Sequence, residues 1–243
     1  MPYNGINGMG TYSLGDALTV VKSILRDTTA LADARLLSDD EIVNCIHRAE
    51  NRYSEDKPRE KVYDITGDAT AWASLPEDYI PEFSAIIRME SPIDNTPPSW
   101  VDTRDYILTT HGANSTPMIR WTRIYPAVGE IVRLYYYTDR FYGTAASGTT
   151  ILDKDHFALC DLAVSYCAAD IGNKYARAHE PILGADTVDY GAKGQNWVSI
   201  SEHYLKRYED AVGDGVKYGS SFLNWDVQPF PTRDYLFHRK MSR

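Results

Sequence analysis

The chain has 243 residues, of which 43% are apolar and 24% are charged, values typical of one large globular domain or two small ones. No stretch approaches the ~18 consecutive apolar residues that cross a bilayer, and the first residues lack the basic and apolar segments of a secretory signal. We therefore expect a soluble, unsecreted protein with no membrane contact. Acidic residues outnumber basic ones 34 to 25, for a formal net charge of −9, which argues against a surface that coats DNA.

The N-terminal third predicts a helical hairpin. Residues 1–12 are rich in glycine and asparagine and are typical of an arm, and apolar residues then recur at helical spacing over residues 12–26. Ser38 and Glu41 form the sequence pattern of a capping box, in which each side chain accepts a hydrogen bond from the other residue's backbone amide. This pattern predicts that a second helix begins at Ser38 and ends before Pro58.

Residues 61–142 change to strand-like patterns and predict a small antiparallel β unit with one solvated face. We expect strands at residues 61–66, 71–75 and 83–90, the second of them returning after a turn at Gly67. Residues 118–124 and 130–137, joined by a Pro–Gly turn, predict a hairpin. Tyr106 and its neighbours form either a strand or a short helix.

Helical periodicity returns over residues 153–178 and again over 195–212. The first of these helices is rich in alanine, so it allows a neighbouring helix or a neighbouring subunit to approach closely. The fold class that we predict is α+β: a four-helix-type bundle with an antiparallel β insertion and an extended C-terminal tail. The predicted segments are an arm (1–12), a helical hairpin (13–58), the β insertion (59–150), the C-terminal helices (151–213) and the tail (214–243).

The tail combines aromatic residues with positive charge. Residues 215–243 hold five Lys or Arg and only two Asp, whereas the rest of the chain is acidic, so the tail suits an acidic partner, including another copy of this chain. A merely solvated end is the alternative reading of the charge. Disordered linkers are poor in aromatic residues, so these side chains pack either on their own chain or on a partner. The predicted partner-docking residues are Tyr218, Phe222, Trp225, Phe230, Arg233, Tyr235, Phe237, Arg239 and Lys240.

Among these residues, Trp225 and Phe230 are the anchors that we favour. Large aromatic side chains dominate binding energy at interfaces, and the prolines on either side of Phe230 limit the entropy lost on docking.

Signals for metal, cofactor or nucleophile are weak. Cys45, Cys160 and Cys167 are an odd number without CxxC spacing, which indicates a reducing compartment rather than a disulfide framework. His156 and Cys160 lie four residues apart and could begin a zinc site, but buried thiols on a helix face are the commoner outcome. Glycines at 5, 8 and 10 follow no strand, so they do not predict a phosphate-binding loop.

Carboxylates are plentiful, but a glycosidase needs two of them at a defined separation, which a sequence cannot show. Glu77 and Asp78 beside Pro76 are typical of a solvated turn. We therefore predict no catalytic residue, no cofactor, no metal and no enzyme.

The layout resembles the head–tail connector adaptors of tailed bacteriophages, also called head completion proteins. The resemblance rests on the capped Leu-Ser-Asp-Asp-Glu-Ile of residues 37–42, on Trp-Ala-Ser-Leu-Pro-Glu-Asp-Tyr-Ile-Pro-Glu-Phe at 72–83, and on the strand Ala-Ile-Ile-Arg-Met-Glu that follows. It covers about residues 14–212 as an architecture.

The resemblance implies a non-enzymatic virion protein that forms a ring, typically a dodecamer, beneath the portal. Such a ring extends the DNA channel and joins the capsid vertex to the tail. The implied partners are further copies of the chain, the portal protein, a tail, nozzle or stopper protein, and DNA passing without sequence preference. The implied location is the virion neck, after assembly in the host cytoplasm.

Two other functions stay open. A tail completion or fibre-attachment protein would bind a tail protein instead of the portal. A hydrolase of cell-wall glycan would need a concave pocket with two converging carboxylates.

Overall fold

The computed structural model describes residues 10–26, 36–111, 116–123, 125–177 and 190–213. The chain divides into two compact units, a helical unit from the described residues up to Lys57 and from Arg140 onward, and a β unit between Pro58 and Asp139. The predicted α+β class, with four helices and antiparallel sheets, is confirmed. Closure of the helices into a four-helix bundle stays a prediction, as do the predicted segment boundaries. No helix in the described part of the chain is long and apolar enough to cross a membrane.

The helical unit begins its first two helices with matching capping boxes. Ser38 accepts from the Glu41 amide at 3.3 Å while the Glu41 carboxylate accepts from the Ser38 amide at 2.8 Å, which confirms the predicted start of the second helix. Ser13 and Asp16 form the same arrangement at the first helix. Each box satisfies amides that a helix N-terminus leaves unpaired. The helices are α1 (Leu14–Leu25), α2 (Asp39–Asp56), α3 (His156–Arg177) and α4 (Tyr190–Val212), with 3₁₀ turns at Ala146–Gly148 and Asp153–Asp155.

Helix α3 is the centre of the helical unit, because it packs against α1, α2 and α4. Its apolar side chains are buried on several faces, and each stabilises the fold by about 1.5–3 kcal/mol. We expected the alanines of this helix to admit a neighbouring subunit. That expectation is wrong for Ala163 and Ala168, which are fully buried inside the unit. A Cβ at Gly172 would lie 3.4 Å from the Gly194 carbonyl of α4, so the small residues serve close packing within the chain.

The β unit consists of two three-stranded antiparallel sheets, with strand orders β1-β6-β3 and β2-β5-β4. Both sheets contribute to one apolar core, through Val132, Leu134 and Met89 from the first sheet and Ile119 and Trp121 from the second. The strands are β1 (Arg59–Thr66), β2 (Trp72–Ser74), β3 (Ile86–Glu90), β4 (Tyr106–His111), β5 (Thr116–Trp121) and β6 (Ile131–Thr138).

The predicted hairpin of residues 118–124 with 130–137 is wrong, because β5 and β6 lie in different sheets. The predicted return of residues 71–75 after the turn at Gly67 is wrong for the same reason, since β1 and β2 also lie in different sheets. Strand β6 pairs instead with β1 over eight residues, and β5 pairs with β2 and β4. Two segments of the chain, the one from β1 to β2 and the one from β5 to β6, pass together from one sheet into the other at Gly67. There the Gly67 amide donates to the Glu130 carbonyl at 2.7 Å. A Cβ at Gly67 would lie 2.5 Å from the Ala127 carbonyl, so the bend needs glycine. The Pro–Gly turn signal marks this crossing between sheets.

Candidate interaction site

The predicted docking residues of the tail lie outside the described residues. None of them is placed by the structure, and their role stays a prediction. These residues are Tyr218, Phe222, Trp225, Phe230, Arg233, Tyr235, Phe237, Arg239 and Lys240. The described part of the chain offers four other features that bear on function: a clamp, a buried polar group, a pocket and an exposed apolar surface.

The clamp is formed by Arg140, the first residue of the helical unit after the β unit in the sequence. Arg140 donates from Nε to the Lys57 carbonyl at 2.8 Å and from Nη1 to the Thr150 carbonyl at 2.6 Å. The Arg140 amide also donates to Ser54 Oγ at 2.9 Å. These bonds fix the last residue before the β unit beside the first residue after it. The sequence analysis missed this clamp, since both acceptors of the guanidinium are backbone carbonyls and carry no side-chain signal.

Two acidic residues are buried beside this clamp and are fully partnered. Asp155 accepts from the Tyr53 hydroxyl at 2.8 Å and from Lys57 Nζ at 3.1 Å. Glu50 accepts from the Tyr142 amide at 2.7 Å and lies 2.6 Å from His47 Nδ1. Burial, reinforced by the bond to Asp155, raises the pKa of Tyr53, so its hydroxyl stays a donor. These bonds tie α2 to Tyr142 and Asp155, which follow the β unit in the sequence.

His156 lies at the start of α3 in a largely aromatic setting. Its ring stacks on Tyr12 with centroids 3.8 Å apart, its Nδ1 is 2.8 Å from the Tyr142 hydroxyl, and its Nε2 is 3.9 Å from Cys160 Sγ. Burial lowers the pKa of His156, although the negative charges of Asp16 and Asp153 act to raise it. Burial also raises the pKa of Cys160 to about 12. The thiol therefore stays protonated and is not an activated nucleophile.

Among the described residues, His156 and Cys160 are not joined by a third side chain that could complete a zinc site. In the residues that the structure describes, no three His, Cys, Asp or Glu side chains come together as a metal site. Cys167 faces Cys45, and this contact together with burial raises the pKa of Cys167. All three cysteines are buried free thiols.

Asp78, one of the acidic residues of the predicted turn, is an ion-pair partner in the β unit. Burial alone would raise its pKa, but donors from Lys61 and from the Tyr136 hydroxyl outweigh burial, and the pKa of Asp78 is lowered. A glycosidase general acid needs the opposite shift. In the helical unit burial raises the pKa of Asp161 even though Arg207 Nη2 lies 3.1 Å away, and this pair joins α3 to α4.

A pocket of about 430 Å³ lies at the bend of the β unit. Its walls include Tyr63, Asp64, Thr70 and Trp72. Asp64 is held by Arg133 at 2.9 Å. The pocket is a concave surface next to strand β1.

Among the described residues, more large apolar side chains are exposed in the β unit than in the helical unit. Val128 in the loop before β6 is 80% exposed, and Val62 and Ile107 are both more than half exposed. Contiguous apolar patches mark contacts with other proteins, whereas apolar residues exposed singly are ordinary. The large apolar residues exposed on the described part of the β unit are Val62, Tyr63, Ile80, Ile107, Leu108, Tyr125, Val128 and Ile131.

Comparison with known proteins adds two solved structures. No protein-family model and no curated protein matches the sequence. A chain from the "Neck of empty GTA particle computed with C6 symmetry" is 17% identical, with 77% of this chain and 87% of that chain covered and a TM-score of 0.27. A chain from the "Neck of native GTA particle computed with C12 symmetry" is 15% identical, with 80% and 91% covered and a TM-score of 0.25. TM-scores of this size do not establish a shared fold.

Proposed function

We propose that this chain is a structural head-to-tail adaptor of a tailed-phage-type virion. Copies of the chain form a ring beneath the portal, extend the DNA channel and join the capsid vertex to the tail. The ring is a dodecamer, which at 27.4 kDa for each chain has a mass of about 330 kDa. Its further partners are the portal above and a tail, nozzle or stopper protein below, in a neck assembled in the host cytoplasm.

The observation that carries this proposal is the divided helical unit. Its described residues on either side of the β unit form one core, although residues 58–139 lie between them in the sequence. This is the layout to which the sequence resemblance to connector adaptors applies. A four-helix-type bundle with an inserted β unit gives each copy two separate units for contacts with neighbouring copies and with other neck proteins.

The charge of the chain suits passage of DNA. The formal charge of −9 is concentrated outside the tail, and α2 begins with Asp39, Asp40 and Glu41. Phosphate binding needs clustered cations that release counterions, and an acidic surface does not supply them. A channel of this character lets DNA slide without sticking.

The C-terminal tail is the proposed contact with the portal. Its aromatic residues provide apolar anchors, of which Trp225 and Phe230 are the largest expected contributors, and Arg233, Arg239 and Lys240 provide charge. Docking of the tail in many copies at once multiplies a weak contact into a stable one. Ring formation and portal docking are then coupled, because the portal binds only the assembled chain.

The test is the mass of the purified chain, alone and mixed with the portal, by mass photometry. We expect a complex several hundred kilodaltons heavier than the portal with the full chain. We expect no complex with the chain that lacks residues 215–243, and a binding loss of at least about tenfold for Trp225→Ala combined with Phe230→Ala. Leu205→Ala is the matched control, since Leu205 is an exposed apolar residue outside the tail.

Normal portal binding by the truncated chain would show that the tail is not the docking element. A monomer under both conditions would reject the adaptor role. Circular dichroism of each variant checks that the helical unit has stayed folded.

A further inference from the structure

Strands β1 and β4 differ from the central strand β6 in how their side chains are covered. Along β6 buried residues alternate with more exposed ones, as in a strand covered on one face. In β1, the consecutive residues Val62 and Tyr63 are 53% and 42% exposed, and in β4 Ile107 and Leu108 are 52% and 42% exposed. Consecutive residues point to opposite faces of a sheet, so both strands are open on both faces.

Both strands also lie at a sheet edge. β1 is the outer strand of one sheet and β4 the outer strand of the other, and within the described residues each pairs with a single neighbour. The remaining edges are different. β2 has only three residues, and the outer side of β3 is covered by residues 99–101, with the Val101 amide donating to the Met89 carbonyl at 2.9 Å.

Charge does not protect the edge of β4. Proteins protect an exposed edge with Lys, Pro or unpaired charge, but β4 reads Tyr-Ile-Leu-Thr-Thr-His and has none of these. β1 does contain charged residues, of which Lys61 is bound by Asp78 and Asp64 by Arg133 within the same unit. Lys61 and Asp64 are therefore paired within the β unit, whereas Glu60 on the same strand is an exposed charge.

We propose that β4 of one copy pairs with β1 of the next copy, so that strand addition links the β units around the ring. The partner is a second copy of this chain, because each chain carries one open edge of each kind, six and eight residues long. Contact between two unlike edges is head-to-tail, and a head-to-tail contact forms a ring when the rotation from copy to copy closes, whereas pairing of β4 with itself would stop at a dimer. Backbone hydrogen bonds supply the affinity, and the exposed apolar residues on both faces become buried between copies.

This inference rests on the proposed ring and names the contact between its copies. Cysteine cross-linking tests it, since the three native thiols are buried and leave introduced cysteines as the reactive ones. The full-length double variants Tyr63→Cys with Leu108→Cys and Val62→Cys with Ile107→Cys are treated with a short bismaleimide, alone and with the portal. We expect a ladder of more than two linked copies from the double variants and only monomers from each single variant.

Two controls accompany the ladder. Leu108→Cys with Val128→Cys keeps one edge cysteine and moves the other to a fully exposed loop, and we expect no ladder from it. Ile107→Lys with Leu108→Lys places two charges on β4, and we expect the concentration for half-assembly to rise at least about tenfold, with no change for Val128→Lys. All five positions are exposed, so the variants keep the fold of the free chain, which circular dichroism checks.

Several outcomes would overturn the inference. Dimers from Leu108→Cys alone would show that β4 pairs with itself. A ring seen by mass photometry but without a ladder in either double variant would place the contact elsewhere, and absence of both ring and ladder would remove the contact altogether. If the chain's own tail covers β4, deletion of residues 215–243 will speed amide exchange of β4 in the monomer, which also contradicts pairing between copies.

The ladder and portal binding can fail separately. A ladder without portal binding supports strand pairing and rejects the portal role. Portal binding by a ring that gives no ladder supports the portal role and rejects strand pairing.

Discussion

The helical unit and the β unit differ in how many of their large apolar side chains are exposed. Among the described residues, four large apolar side chains are exposed in the helical unit and eight in the β unit. The helical unit closes an apolar core around α3 and also buries partnered polar groups such as Asp155 and Glu50. Within the described residues, the β unit closes a smaller core, and its edge strands β1 and β4 each pair with a single neighbour. The difference agrees with the proposed assembly, in which the β unit provides the contacts between copies.

Truncation of the α3 core should have the largest effect on a single chain. Leu162 is fully buried, and Leu162→Ala should lower the free energy of unfolding by about 3 kcal/mol through lost burial and a residual cavity. Guanidinium denaturation followed by helical circular dichroism measures the loss. Leu205→Ala on α4 is the matched control and should cost less than about 0.5 kcal/mol. Equal losses for the two variants would contradict a helical unit that is centred on α3.

The buried His156 should make the stability of the helical unit depend on pH, and this distinguishes the helical unit from the β unit. Burial lowers its pKa below the ordinary 6.5, so the unfolded chain binds the proton more readily than the folded chain does. Stability of the helical unit should therefore fall as pH falls from 6.5 through the lowered pKa, by at most about 1.4 kcal/mol for each pH unit. Denaturation from about pH 7 to about pH 5 measures the slope.

His156→Asn is the control, since it removes the titrating ring and should flatten the slope. Asp16 and Asp153 face this ring, and hydrogen bonds from Ser13 and Thr11 lower the pKa of each. Both carboxylates stay ionised across this window. An unchanged slope in the variant would assign the pH dependence to other groups.

Local features of the fold could be predicted from the sequence, and pairing between distant segments could not. The capping box of Ser38 and Glu41 spans four residues, and it was predicted correctly because its partners are fixed by the helix itself. The equivalent pair of Ser13 and Asp16 carries the same pattern and was missed. The hairpin of β5 and β6 was predicted wrongly, because a Pro–Gly turn does not distinguish a return within one sheet from a crossing between two sheets.

The candidate interaction surface shows the same limit. The sequence of β4 indicates a strand or a short helix, but its place at an edge depends on the order β2-β5-β4, which is set by contacts along the whole β unit. Tyr142 and His156 meet because the chain returns to α3 after the β unit, and Arg140 binds two backbone carbonyls. None of these contacts has a local sequence pattern.

The capping box offers a smaller test of the helical unit. Ser38→Ala removes the acceptor for the Glu41 amide and should lower the free energy of unfolding by about 1 kcal/mol. Ser74→Ala on the exposed side of β2 is the matched control and should change it by less than about 0.5 kcal/mol. Urea denaturation of both variants measures the difference, and a negligible loss for Ser38→Ala would mean that packing alone determines where α2 begins.

The smallest expected effect concerns the open edge of the β unit. Ile107 is 52% exposed, so unfolding uncovers only part of its side chain, and Ile107→Thr should change the free energy of unfolding of the single chain by less than about 0.5 kcal/mol. Thr keeps the branched Cβ that strands favour, so the pairing of β4 with β5 should be preserved. Urea denaturation at concentrations too low for assembly measures this value. A loss as large as that of a core truncation would mean that Ile107 is already covered in the free chain, and β4 would then be an internal strand closed by the chain itself instead of an edge kept for the next copy.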